Sequence, residues 1–291
     1  MESRTSFRQF YEELIEAHSQ EASNVLWSWL NPGRALLEPL RTYGEWDAHA
    51  QTYRLGRNQV NEEILDDLWT LYAFLRVSDI LLLPYQNGTH DGSFWTGPAI
   101  SPDERVAFFT ALGLERIDTP DFHPFYHEIV VVDQATDVAS PISIVDELWP
   151  GFMLGHLLIC RAGVHVRGGA DFILKDIAES STLYWASWRK NRPYRDLSQG
   201  WGHNSQWRTE FRRDYTDGRN FVYNTDGTRD ARLPDLRRNA DGTRDAHLPD
   251  PRREDLSPDE RVELLINRCF VRTPEPDDDL FPYNDTLTTS G

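Results

Sequence analysis

The period of the apolar residues changes along the chain, and that change sets the fold class. Through the first third, apolar side chains recur at helical spacing. Phe7, Phe10, Tyr11, Leu14, Ile15 and His18 fall on one face, and Glu12, Glu13 and Glu16 on the opposite one. Ser6 with Gln9 resembles a capping box at the start of that helix. A second helix is predicted over residues 21–30, ending before Pro32-Gly33. A third follows from the stripe Val60, Ile64, Leu68, Leu71, Tyr72 and Leu75.

From about residue 126 to 167 the pattern becomes that of strands. Residues 128–132 are rich in β-branched side chains, and Ile142 and Ile144 alternate with polar neighbours. Residues 156–160 and 164–167 flank Arg161-Ala162-Gly163, which reads as a hairpin turn. Residues 171–190 fit a helix or a strand, and 221–223 a short strand. Helices followed by strands predict an α+β fold: an N-terminal helical region packed on a largely antiparallel sheet, in a single compact unit spanning residues 1–291. Within it, 1–115 is mainly helical, 120–224 sheet-rich, 224–256 a surface loop, 257–270 a helix, and 273–291 an acidic tail extended on the surface.

Two sequences recur. SPDERV stands at 101–106 and again at 257–262. Both copies read as helix starts: serine caps the free amides, proline suits the first helical position, and glutamate three residues on closes the box. Gly113 can end the first of these helices. Their flanks differ, so a shared way of starting a helix explains the recurrence better than a duplicated domain. The second recurrence is tandem. NTDGTRDARLPDLRR is followed by NADGTRDAHLPDPRR, a period of 15 from Asn224 to Asn239. Each unit carries an Asp-Gly turn signal and a Leu-Pro break. Neither has a core face, so the units cannot stack as a solenoid. They read as a duplication inside a surface loop, where added length costs little closure entropy.

The chain is 39% hydrophobic and 12% aromatic, enough to bury a substantial core. Its net charge of -17 repels phosphate backbones and argues against general nucleic-acid binding. From Trp188 to Arg238, twelve Arg and Lys stand against seven Asp and Glu, a local +5 that leaves -22 elsewhere. All basic residues but Lys175 and Lys190 are arginines. A GC-rich genome gives that bias without function; the forked, always-charged head group is the functional alternative. Cys160 and Cys269 lie in apolar runs outside any CxxC pair, as buried free thiols do. No apolar run approaches the ~20 residues of a membrane span, and the first residues lack a signal-peptide core. A cytoplasmic location without membrane contact is the expectation.

Candidate chemistry concentrates in residues 200–208. Trp201, Asn204, Gln206, Trp207 and Arg208 combine rings with hydrogen-bonding groups, as pocket walls do. Arg208, Arg212 and Arg213 could hold a carboxylate or phosphate. His203 could act as acid or base near neutral pH. Asp196, His203 and Ser205 supply the residue types of a triad, without a nucleophile elbow. The alternative is a loop that stacks its indoles on the core. A weaker pattern is His123, His127 and Glu128, which with a third histidine could bind a divalent metal such as zinc. No phosphate loop or dinucleotide fingerprint is present. Two function classes follow. One is an enzyme acting on a small polar or anionic substrate by histidine acid–base chemistry, with or without metal assistance. The other is an acidic partner-binding protein, such as a neutraliser of a basic protein.

Overall fold

In the computed structural model, which describes residues 5–17, 21–45, 62–88, 95–196, 207–209, 211–233, 256–266, 270–272, 280 and 282–291, the N-terminal stripes become helices. α1 (Phe7–Glu16) opens on Ser6, whose hydroxyl accepts from the Gln9 amide at 3.3 Å. The box is half made, because the Gln9 side chain donates to Glu13. Phe7, Phe10, Tyr11 and Leu14 are buried, whereas Ile15 is 40% exposed and off that face. His18 lies outside the described residues. α2 (Ala22–Ser28) fills the span of the predicted second helix, and α3 (Leu30–Leu37) runs on past its predicted end. The chain does not stop at Pro32-Gly33, because Pro32 falls in the first turn of α3, where a missing N–H has no helical partner to lose. α4 (Glu62–Ile80) carries the predicted stripe further: Leu68, Leu71 and Tyr72 are buried, and so are Phe74, Val77 and Ile80. Val60 lies outside the described residues.

α5 (Pro102–Ala111), the short α6 (Lys175–Ala178) and α7 (Pro258–Ile266) follow. The two SPDERV copies begin α5 and α7 as expected. Ser101 and Ser257 accept from the amides of Glu104 and Glu260, each at 3.2 Å. Glu260 closes its box on Ser257, while Glu104 receives Ser23 and the Trp27 indole instead. The motif has a second job that capping rules do not disclose. Its arginines, Arg105 and Arg261, are both buried and donate to backbone carbonyls: Arg105 to Pro150, Arg261 to Ala231, Leu233 and Leu256. Gly113, at φ +86°, ends α5.

The largest sheet runs β1 (Glu115–Arg116), β4 (Phe152–Leu154), β5 (Leu157–Cys160), β9 (Tyr215–Thr216), β10 (Asn220–Tyr223), β12 (Asp285–Ser290) and β11 (Arg229–Asp230). It is antiparallel except at β11–β12. A second sheet places β6 (Ala162–Gly168) between β2 (His127–Gln134), parallel, and β3 (Ser143–Trp149), antiparallel. β7 (Leu183–Tyr184) and β8 (Tyr194–Arg195) pair separately. Alternation along β4 and β5 feeds two cores. Phe152, Leu154, Leu157 and Ile159 join the N-terminal helices; Met153 and Leu158 join Phe221, Leu265 and Leu287. The result is one compact α+β unit.

Three expectations change. β5 and β6 are not a hairpin: they belong to different sheets, and Arg161 marks the step, donating to Asp214 at 2.7 Å and to the Pro124 carbonyl. The end of the acidic tail is not surface chain but β12, flanked on both sides, with Asp285 and Leu287 buried. The first repeat unit is not a free loop. Asn224 donates to the carbonyls of Tyr283 and Asp285, Asp226 grips Arg213, and Ala231 is fully buried. The second unit lies outside the described residues. Residues 171–190 turn out to hold both alternatives, α6 and β7.

Candidate functional site

Of the segment singled out by its composition, Trp207 and Arg208 are among the described residues. Trp201, His203, Asn204, Ser205 and Gln206 lie outside the described residues. Trp207 and Arg208 reach a groove of about 620 Å³, within the ~300–1,000 Å³ usual for small-molecule sites. The groove is walled by α1, α3 and α4, which contribute Arg8, Leu36, Asp66, Asp67 and Trp69. Trp207 is fixed edge-on to Tyr11, centroids 5.0 Å apart, and is covered by the guanidiniums of Arg8 at 5.7 Å and Arg76 at 5.6 Å. Arg208 lies over the Trp69 ring at 5.4 Å. The Trp69 indole nitrogen is buried and has no hydrogen-bond partner among the described residues. Asp67 accepts from Tyr43 at 2.8 Å. The groove thus has two indole walls, a cationic rim and an acidic rim. Such a surface matches a flat ligand with an anionic group and a hydrogen-bond donor.

Arg212 and Arg213 point elsewhere. Arg213 is fully buried and held by both oxygens of Asp226, so it cannot anchor an outside anion. Arg212 faces a small, partly open cavity of about 60 Å³ between α4 and the sheets. It donates to Asp214 at 2.7 Å and to the Leu265 carbonyl at 2.7 Å, and Trp185 lies 4.3 Å from its guanidinium. Burial chiefly, then the neighbouring Arg161, pushes its pKa below the ordinary arginine value despite Asp214. Asp79, Glu128 and Arg189 line the same cavity. Arg189 is clamped by Glu128 at 2.9 and 3.0 Å and by Asp79 at 2.8 Å. Burial pushes Asp79 above the usual carboxylate range, against the opposing pull of Arg189. Asp196 is not free to orient a histidine in this arrangement: it accepts Tyr72 at 2.7 Å and Arg76 at 2.6 Å.

No protein-family model, no curated protein and no solved structure matches the chain. The site therefore has to be read from its own geometry.

Of the predicted metal ligands, His123 and His127 are neighbours, and Glu128 turns away from them. Glu128 is committed to Arg189, and among the described residues no group of three or more His, Cys, Asp and Glu is placed to hold a metal. His123 stacks on Phe221 at 4.0 Å, and its Nδ1 accepts from the Phe125 amide. Burial first, then His127 and Arg161, lowers the His123 pKa to about 4. Burial likewise lowers His127, whose ring meets the His123 backbone at 3.0 Å. His127 is buried and His123 half-buried. The sequence also passed over Trp69, Asp66 and Asp79, which look like ordinary helix residues until α4 is packed. One clue is visible only in the backbone. Trp185 and Trp188 adopt φ of +54° and +55°, a region bulky residues avoid. The Asp79 carboxylate holds that stretch by accepting the Ser187 amide and hydroxyl at 3.1 and 2.9 Å.

Proposed function

We propose that the protein binds a small planar aromatic carboxylate, one that also carries a hydroxyl or amine donor, in the groove between Trp69 and Trp207. What supports the reading is the meeting of Trp207 and Arg208 with Trp69, Arg8 and Asp66 around one groove. The indoles cover the flat body, Arg208 meets the carboxylate, and Asp66 takes the donor. In this reading His203, four residues before Trp207 in the chain, is the acid–base group that acts on a bound substrate.

Calorimetric titration with 4-hydroxybenzoate, and with uncharged 4-hydroxybenzamide as control, tests it. Saturable binding of the acid is expected, weakened at least about ten-fold by Arg208→Glu and by Trp207→Ala, a loss of about 1.4 kcal/mol. His203→Gln should bind like wild type, since its role is chemical. Equal titrations for acid and amide, or variants indistinguishable from wild type, would sink the proposal.

A further inference from the structure

The small cavity beside Arg212 carries a second inference, independent of the groove. Its cations are unevenly matched. At one end Asp79 and Glu128 share Arg189. At the other, Arg161 and Arg212 share Asp214. Arg105, fully buried, donates to the Pro150 carbonyl, approaches the Cys160 sulfur at 3.5 Å, and has no carboxylate partner among the described residues. Two lining arginines thus share one carboxylate there, with the Arg105 guanidinium against the Cys160 sulfur. Cys160 lines the cavity beside them. The Arg212 side chain is 5% exposed, and its Nη1 is buried with no hydrogen-bond partner among the described residues. An orphaned donor on a buried cation costs about 1–3 kcal/mol, more than for a neutral group. The cavity, about 60 Å³, has room for roughly four or five heavy atoms, on the scale of one water per ~10–15 Å³.

We propose that this cavity is a site for a small carboxylate or oxyanion, held by Arg212 and seated against the Cys160 sulfur. The anion fills the vacant Nη1 direction and supplies the negative charge that end of the cavity lacks. A single carboxylate or a tetrahedral oxyanion fits the volume; a ligand the size of an aromatic acid does not.

The test uses the whole chain with Cys269→Ser, so that Cys160 is the sole thiol. Acetate and inorganic phosphate, compared with chloride at equal ionic strength, should raise the melting temperature by roughly 2–4 °C near saturation. Arg212→Gln, checked for folding by circular dichroism, should lose that rise. Alkylation gives a second reading. The Cys160 sulfur displaces iodide from iodoacetate, forming an S–C bond as the C–I bond breaks, and the thiol proton passes to buffer. A free thiol reacts faster with neutral iodoacetamide than with iodoacetate. Here iodoacetate should be the faster reagent at Cys160, acetate should protect, and Arg212→Gln should restore the usual order. If Arg212→Gln does not fold, Arg212→Lys and the wild-type protection experiment decide. No anion-dependent stabilisation in wild type, or the same rise in the folded Arg212 variant, would overturn the proposal. Because Trp207 and Arg208 are untouched, its failure leaves the groove reading standing.

Discussion

Asp226 and Asp241 occupy the same place in the two repeat units, and the fold gives the first a defined partner. Arg213 has no exposed side-chain surface and is neutralised by Asp226. Asp226→Ala removes the carboxylate that grips both ends of the Arg213 guanidinium and should cost about 3 kcal/mol, the low end for such breaks because Asp226 is itself part-exposed. Asp241→Ala should fall within ~0.5 kcal/mol of wild type. Chemical denaturation of both variants measures the difference, and equal losses would refute it. His123 titrates the fold in a definable direction. Its folded pKa, about 4, lies below the ordinary 6.5, so the unfolded chain binds the proton first. The stability it contributes is present above pH 6.5 and is lost as pH falls toward 4. His123→Asn should therefore flatten the fall in melting temperature across that window, and an unchanged slope would contradict the assignment. At this scale the sequence was least legible. Arginines look alike in a sequence, and only packing separates Arg213, locked inside, from Arg208, stacked at the rim of a groove. Trp207 and Arg208 could be picked out because rings and polar groups crowd there without helical or strand spacing.

Among the elements, those with a long single period were legible, and those defined by distant partners were not. α1 and α4 follow from their stripes, and α5 and α7 from their caps. The step at Arg161 was hidden because two strands joined by a short polar-and-small turn look the same whether they pair or part into separate sheets. β12 was hidden for another reason. Residues 285–290 are mostly threonine, serine and aspartate, and only Leu287 signals an interior. Two deletions test the contrast. Removing residues 239–253 leaves every described contact of the first repeat unit in place and should shift the melting temperature by no more than about 2 °C. Removing residues 285–291 strips β10 and β11 of their shared neighbour and takes Asp285 from Arg229. That variant should lose cooperative unfolding; a sharp transition near the wild-type temperature would show that the strand is dispensable.

For the whole molecule, the change of period was a sufficient guide to the α+β class, since a packed layer has to bury the face that each period creates. The charge was a poorer guide. The local +5 between residues 188 and 238 suggested a positive surface, yet Arg189, Arg192, Arg212 and Arg213 are all buried. What positive surface the segment keeps comes from residues such as Arg208, Arg219 and Arg232, too few to offset the acidic remainder of the chain. Raising sodium chloride from about 20 to 200 mM shortens the reach of surface repulsion while barely touching the buried pairs, so the melting temperature should rise. A fall would mean that exposed ion pairs outweigh the repulsion. The seating of residues 285–290 between β10 and β11 also imposes an order in time. β10 leaves the ribosome about sixty residues before its partner, a gap of several seconds at ~5–20 residues per second. Through that interval its open edge can pair with any other extended chain. Slow synthesis or crowding should thus convert nascent chains into aggregates by a route that mutations in the helical half leave unchanged, and the sheet as a whole closes only after translation has passed its last strand.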